Sequence, residues 1–261
     1  MTRSVARSSG DRAGRDQHFH AAGYSFEALG RQTSNNATPA SMLDSSASIG
    51  RDWARGDGLF RNALSAHDVA GREWLKRTMM SLGMEVHQDG AMNIYGRLGT
   101  TNTPAVMTGS HHDSVSNGGC LDGALGVVAG MEALACIHEL GYTSELVHPL
   151  EVVNFTDEEG RFGGMLGSMC LAGKLTADQI ERMVSADGER AAHLLALRAR
   201  ADGACGDGAS PSVEDERRAA QAAAGACYDR YGVRIRPHAF VELHIEQGPV
   251  LDRCSTRPAR R

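Results

Sequence analysis

The chain has 261 residues, 41% of them hydrophobic and 23% charged, which is an ordinary globular balance with enough length to bury a substantial core. A net charge of -5 supplies no basic footprint for nucleic acid and no polybasic membrane anchor, and no apolar run reaches the roughly 18–20 residues that span a bilayer. Six cysteines are scattered without a C-x-x-C pair, which argues against a disulfide scaffold and fits a reducing, cytoplasmic setting.

Residues 1–49 are rich in Arg, Ser, Gly, Ala and Asn and lack apolar periodicity, so a disordered leader is expected there. The segment has no apolar core of a secretory signal, and Asp11 and Asp16 count against an organelle transit peptide. Ser65-Ala-His-Asp68 reads as a capping box that starts a helix over residues 69–82, closed by Gly83. Residues 84–87 and 92–98 pair as a hairpin across the Asp89-Gly90 turn. Residues 104–109 form a short buried strand, and residues 123–140 a strongly apolar helix with Asp122 at its N-cap. Residues 150–155 are a second buried strand. Strand, helix and strand in this order make a parallel crossover, so the loops after both strands open on one sheet edge, where α/β proteins bind ligands. Residues 176–228 look helical, with a loop near 203–211, and residues 239–245 return to strand character. The expected fold is α/β, a three-layer α/β/α domain with a mostly parallel sheet over residues 50–252, followed by an irregular basic tail at 253–261.

The chemistry concentrates in three places. Gly109-Ser-His-His-Asp-Ser-Val, continued by Asn117-Gly-Gly-Cys-Leu-Asp-Gly123, puts His111, Asp113 and Asp122 on a glycine-rich loop between strand and helix. Singly, each of these has a bland explanation: a core histidine, a turn, an N-cap. Together they offer an imidazole and two carboxylates to a divalent metal. Thr156-Asp-Glu-Glu-Gly160 follows the second strand, and neighbouring Glu158 and Glu159 point different ways, so that one can bind a metal while the other moves a proton. A solvated acidic loop is the plain alternative. In residues 240–248, alternation sets Glu242, His244 and Glu246 on one face and Val241, Leu243 and Ile245 on the other, with a water-facing edge strand as the competing explanation.

These segments resemble the amidase/hydantoinase/carbamoylase branch of the M20 metallohydrolases, which includes N-carbamoyl-L-amino acid hydrolases, allantoate amidohydrolases and ureidopropionases. The matching motifs are G-S-H-x-D-S, N-G-G-x-x-D-G-x-x-G-V, V-N-F-T-x-E-E-G and E-L-H-I-E-Q-G-P-V-L, spread over about residues 59–252. The last motif separates this branch from the M20 peptidases. The resemblance implies a zinc-exopeptidase-like catalytic domain acting on a small ureido or carbamoyl substrate through two divalent ions, Zn²⁺ or Mn²⁺. It implies that Asp122 bridges the ions, that His111 and His244 complete one site, and that Glu159 ligates the other. Glu158 is then the general base and acid, and Asp113 holds the His111 tautomer from behind.

Some features depart from that pattern. The family supplies one more metal-binding His far downstream, together with a lid and dimerisation domain carrying substrate-gripping residues, and the chain has no counterpart to these. The resemblance therefore implies an incomplete catalytic domain, a missing homodimer contact and little or no activity of this chain alone. A non-catalytic protein holding a single metal is the alternative reading. Gly160-Arg-Phe-Gly-Gly-Met-Leu-Gly-Ser168 also lacks a Ser and a Pro of the family's loop. A serine hydrolase built on Ser110 or Ser114 beside His112 is disfavoured, because no G-x-S-x-G elbow is present.

Overall fold

A computed structural model describes residues 39–202, 210–227 and 235–249. Five strands form one sheet in the order β1-β2-β4-β3-β5: β1 (Glu85–Gln88), β2 (Ile94–Leu98), β3 (Val106–His111), β4 (Leu150–Phe155) and β5 (Ala239–Val241). The α/β architecture is the expected one. The sheet, however, is mixed rather than mostly parallel: β1–β2 and β2–β4 run antiparallel, β3–β4 and β3–β5 parallel. The reason is local. A hairpin makes β2 antiparallel to β1, and β2 then also pairs antiparallel with β4. That hairpin does not turn on Asp89-Gly90 alone, because Gln88 pairs with Ile94 and the Asp89 carboxylate accepts the amides of Ala91 and Asn93, each at 2.9 Å.

Three helices cover one face: α1 (Pro39–Ser48), α2 (Ala66–Ser81) and α3 (Ala124–Glu139). Their buried side chains, among them Met42, Leu75, Met79, Val127 and Met131, pack on Ile94, Leu98 and Val152. Each fully buried side chain of this kind contributes about 1.5–3 kcal/mol of transfer free energy. The other face carries Tyr95, Met107 and Val153, with Phe155 and Leu171 against them. Beside it lies a helical cluster of α4 (Leu166–Leu171), α5 (Ala177–Glu181), α6 (Ala191–Asp202) and α7 (Val213–Ala224). Capping boxes start two of these, Thr176 with Gln179 and Ser212 with Asp215. Among the described residues no helix is long and apolar enough to cross a membrane.

Helix α1 corrects the leader expected over residues 1–49; residues 1–38 lie outside the described residues. Met42 is buried in the core, and the Ser46 hydroxyl meets His112 Nε2 at 2.7 Å. Buried Met42, half-buried Leu43 and a buried serine make its inner face, a pattern too short for hydropathy to register. The chain is fastened from below by Arg61, 1% exposed, whose Nε donates to the His112 carbonyl and whose NH1 donates to Ser46 and Ile49 carbonyls at 2.8 and 2.9 Å. Burial pulls its pKa down to about 10, with Asp68 and Asp113 opposing that shift, so it stays charged at neutral pH. Residues 203–209, where a loop was expected, and the basic tail at 253–261 lie outside the described residues.

Arg61→Met would take the donor from the His112 and Ile49 carbonyls, while the Ser46 carbonyl keeps the Ile49 amide, at about 1–3 kcal/mol for each group that stays buried and unpaired. The expected loss of unfolding free energy in urea titration is therefore about 2 kcal/mol or more. A loss below about 1 kcal/mol would show that α1 is not fastened to the strand end in this way.

Candidate metal centre

His111 is the last residue of β3, at the sheet edge where the parallel crossover β3–α3–β4 also delivers the loop after β4. Its ring is 1% exposed. Nδ1 lies 3.0 Å from the carbonyl oxygen of Asp113, which can only accept, so Nδ1 carries the hydrogen and Nε2 turns a lone pair inward. His244 repeats the arrangement: its Nδ1 is 2.8 Å from the Ile245 carbonyl, leaving Nε2 to face Asp122 Oδ1 at 3.4 Å. His111 Nε2 stands 3.9 Å from that same oxygen and 3.4 Å from Glu158 Oε2. The two rings are tilted with centroids 5.9 Å apart. One ligand atom each from His111, Asp122 and His244 lies within 4.8 Å of the others.

Neither His111 Nε2 nor Asp122 Oδ1 has a hydrogen-bond partner, and both are buried. Lone pairs of three groups thus converge with no donor from His111 or Asp122 among them. Such an arrangement calls for positive charge, and it fits a divalent cation with nitrogen and oxygen ligands. The His244 pKa is raised by its bond to the Ile245 carbonyl first, against a smaller opposing effect of burial, and also by the charges of Asp122, Glu242 and Glu158.

The backbone makes room for this. Gly123 has φ 65°, and a methyl group there would meet His111 Nε2 at 2.4 Å, so the position takes neither an L side chain's conformation nor its volume. Gly123 is also the N-cap of α3, with no side-chain cap bond. Asp122 is therefore not the N-cap that the sequence suggested. Its carboxylate is released from helix capping, and Oδ2 accepts from Gln247 Nε2 at 2.5 Å.

The remaining candidates separate. Asp113 does not hold the His111 ring through its carboxylate, which is 3.8 Å away; its backbone carbonyl does that. The carboxylate instead accepts the amides of Glu158 and Glu159 at 3.4 and 3.2 Å, tying the two sheet-edge loops together. Burial, reinforced by Asp68 and Asp157, holds the Asp113 pKa well above the usual carboxylate range, against the two amides. Glu159 is half-buried and outside the close trio, with its pKa raised by burial, lowered by His111 and raised further by Asp122 and Glu158. The strand expected over 239–245 ends at Val241, and residues 242–249 run on irregularly, with Glu242 accepting from Ser110 Oγ at 2.6 Å. Gln247 was missed in the sequence. Its signal, a polar residue three positions after His244 and just before Gly-Pro, reads as a turn until the fold brings it to Asp122.

A family model described as peptidase family M28 matches residues 93–231, just over half of the chain, where an M20 assignment was expected. The chain is 37% identical over 204 residues to an N-carbamoyl-L-amino acid amidohydrolase of Geobacillus stearothermophilus, covering 75% of this chain and 42% of that protein. It is 32% identical over 189 residues to a ureidoglycolate hydrolase of Arabidopsis thaliana, covering 71% and 36%. Among solved structures, a hydantoinase/carbamoylase family amidase from Burkholderia vietnamiensis superposes with a TM-score of 0.64 at 29% identity, over 82% of this chain and 46% of that one. The chain thus spans less than half the length of these relatives. The family model, joined to relatives named as carbamoyl and ureido hydrolases, establishes that the chain belongs to peptidase family M28 and is carbamoylase-like within it.

Proposed function

We propose that this protein is a metal-dependent hydrolase of non-peptide C–N bonds in linear amides, of the N-carbamoyl amino acid or ureido acid type, working in the cytoplasm. The observation that carries this reading is the convergence of His111 Nε2, Asp122 Oδ1 and His244 Nε2, with two of these atoms buried and unpartnered. Those three residues would hold one Zn²⁺ or Mn²⁺ ion, and Glu159 with Asp122 would serve a second. When bound, such ions supply Lewis acidity, polarising a carbonyl and easing the loss of a proton from water. Glu158, with Oε2 beside the trio, takes a proton from the attacking water and returns it to the leaving nitrogen as the C–N bond breaks and the C–O bond forms. Asp113 positions Glu158 and Glu159 by accepting both of their amides. Gln247 steadies Asp122 through its second oxygen, so that Oδ1 is left for the cation.

One feature favours a second reading, a non-catalytic protein that holds a single ion. Among the described residues only one group of three ligands lies close enough to hold a metal, and Glu159 is outside it. Turnover by this chain is accordingly expected to be slow, below the roughly 1 s⁻¹ at the low end of typical enzymes.

Calorimetric titration with Zn²⁺ tests the centre directly. His244→Ala should weaken binding at least about 10–100-fold, the scale on which even supporting groups act at metal sites. Equal, weak binding by both proteins would remove His244 from the centre.

Ammonia release from N-carbamoyl-L-amino acids tests the chemistry. Slow release that depends on added Zn²⁺ or Mn²⁺ and falls about 10²–10⁴-fold in Glu158→Gln supports the hydrolase. Zn²⁺ binding with no ammonia released at all would favour the single-ion protein, and release unchanged in Glu158→Gln would exclude Glu158 as the base.

A further inference from the structure

The backbone ladder that holds β5 to β3 ends where Val241 pairs with Thr108, short of His244. Beyond it, residues 242–249 are irregular and, Ile245 apart, exposed, so apolar burial does not place the imidazole that the metal centre needs. Side-chain bonds flank it instead. Before His244, the Glu242 carboxylate accepts the Ser110 hydroxyl at 2.6 Å, the length of a hydroxyl bonded to a charged acceptor. After it, Gln247 donates to Asp122. Ser110 is 1% exposed and immediately precedes His111 in β3. Side chains alternate along a strand, so β3 offers one residue to the ion and the one before it to the arm that brings the third ligand. Gly126 completes the seat. A methyl group there would collide with the Leu243 carbonyl oxygen and come within 2.9 Å of Ser110 Cβ, so the arm rests directly on the first turn of α3.

Resting on the reading of His111, Asp122 and His244 as one metal centre, we infer that Ser110 and Glu242 are positioning residues of that centre. Their bond sets how far the irregular arm reaches along the sheet edge, and so brings His244 Nε2 to face Asp122 Oδ1 at 3.4 Å. Neither acts as a ligand: the Ser110 hydroxyl is engaged with Glu242, and Glu242 lies outside the trio of ligand atoms. Without the bond, the exposed arm samples more conformations, and the entropy of ordering it is subtracted from the affinity for the ion. Both residues therefore act through His244.

The test is calorimetric titration of the whole chain with Zn²⁺. Ser110→Ala and Glu242→Ala should each weaken binding about 10–100-fold, the scale for groups that orient metal ligands. The double variant should bind no more weakly than either alone, since the same single bond is lost in all three. Glu242→Gln should recover most of the loss, because its amide oxygen accepts the same hydrogen bond about half as strongly as a carboxylate. In a His244→Ala background, Glu242→Ala should change nothing further. Urea unfolding of the metal-free Glu242→Ala chain should match wild type, as the position is exposed. Unchanged affinity in both alanine variants overturns the inference and leaves the metal centre standing. Binding by Glu242→Gln as weak as by Glu242→Ala, or a further loss from Glu242→Ala in the absence of His244, would make Glu242 a ligand and overturn it equally. If the wild-type chain binds no Zn²⁺, the metal centre and the inference fall together.

Discussion

Three electron-pair donors aimed at one point, two of them without any hydrogen-bond partner, are the constraint on which the rest of this structure turns. Buried acceptors that face one another repel unless positive charge lies between them, and buried polar atoms are rarely left unpaired. The chain accepts that cost here and fixes each participant by a separate device. A carbonyl holds His111, another carbonyl holds His244, and the Gln247 amide holds Asp122. Each device uses the far side of the residue and leaves the near side bare. That division is what second-layer partners of metal ligands do, orienting the ligand while sparing its binding atom.

The same economy explains the glycines and the buried polar layer behind the centre. Gly123 lets the chain turn into α3 without a methyl group striking His111. It also takes the N-cap position, so that Asp122 is free to face the trio. Gly109, with φ 141°, lets β3 approach β4 where a methyl group would lie 2.0 Å from the Val153 carbonyl oxygen. Arg61 draws α1 and the end of β3 together from beneath, and Asp113 clasps the loop after β4. A hydrophobic core on the α1–α3 face fixes the sheet; a small set of hydrogen bonds to backbone fixes the sheet edge.

Resemblance to carbamoyl and ureido hydrolases gives these contacts their meaning, and the shape of the molecule narrows it. The relatives share the architecture over four-fifths of this chain but are more than twice as long as the aligned part. The family model, over residues 93–231, takes in His111 and Asp122 but stops short of His244.

How much of this was legible beforehand depends on whether the information was local. The crossover β3–α3–β4 follows from two buried apolar runs around a long apolar helix, and β4 coincides with the expected run from Leu150 to Phe155. The helix after Ser65 has the expected serine cap, with the Ser65 hydroxyl accepting the Asp68 amide, but it starts at Ala66 rather than at residue 69 and the Asp68 carboxylate accepts from the Leu64 amide instead of closing a capping box. His111, Asp122 and His244 could be named as candidates because strand ends and motif spacing are written in order along the chain. Which atoms they would present could not. Asp122 looked like an N-cap because a carboxylate before a helix nearly always is one, and only the left-handed conformation at Gly123 frees it. Asp113 was adjacent to His111 in sequence, yet its carboxylate bonds to amides brought from 45 and 46 residues away. Helix α1 escaped notice because a buried serine and the adjacent pair Met42 and Leu43 carry its packing, and β5 fell short because Val241 and Leu243 are exposed where alternation implied a covered face. The sequence determined which residue types stand at each strand end, since hydrophobic periodicity and turn chemistry act over a few neighbours. Tertiary structure alone decided which lone pairs meet, since that depends on backbone groups far along the chain arriving at one edge.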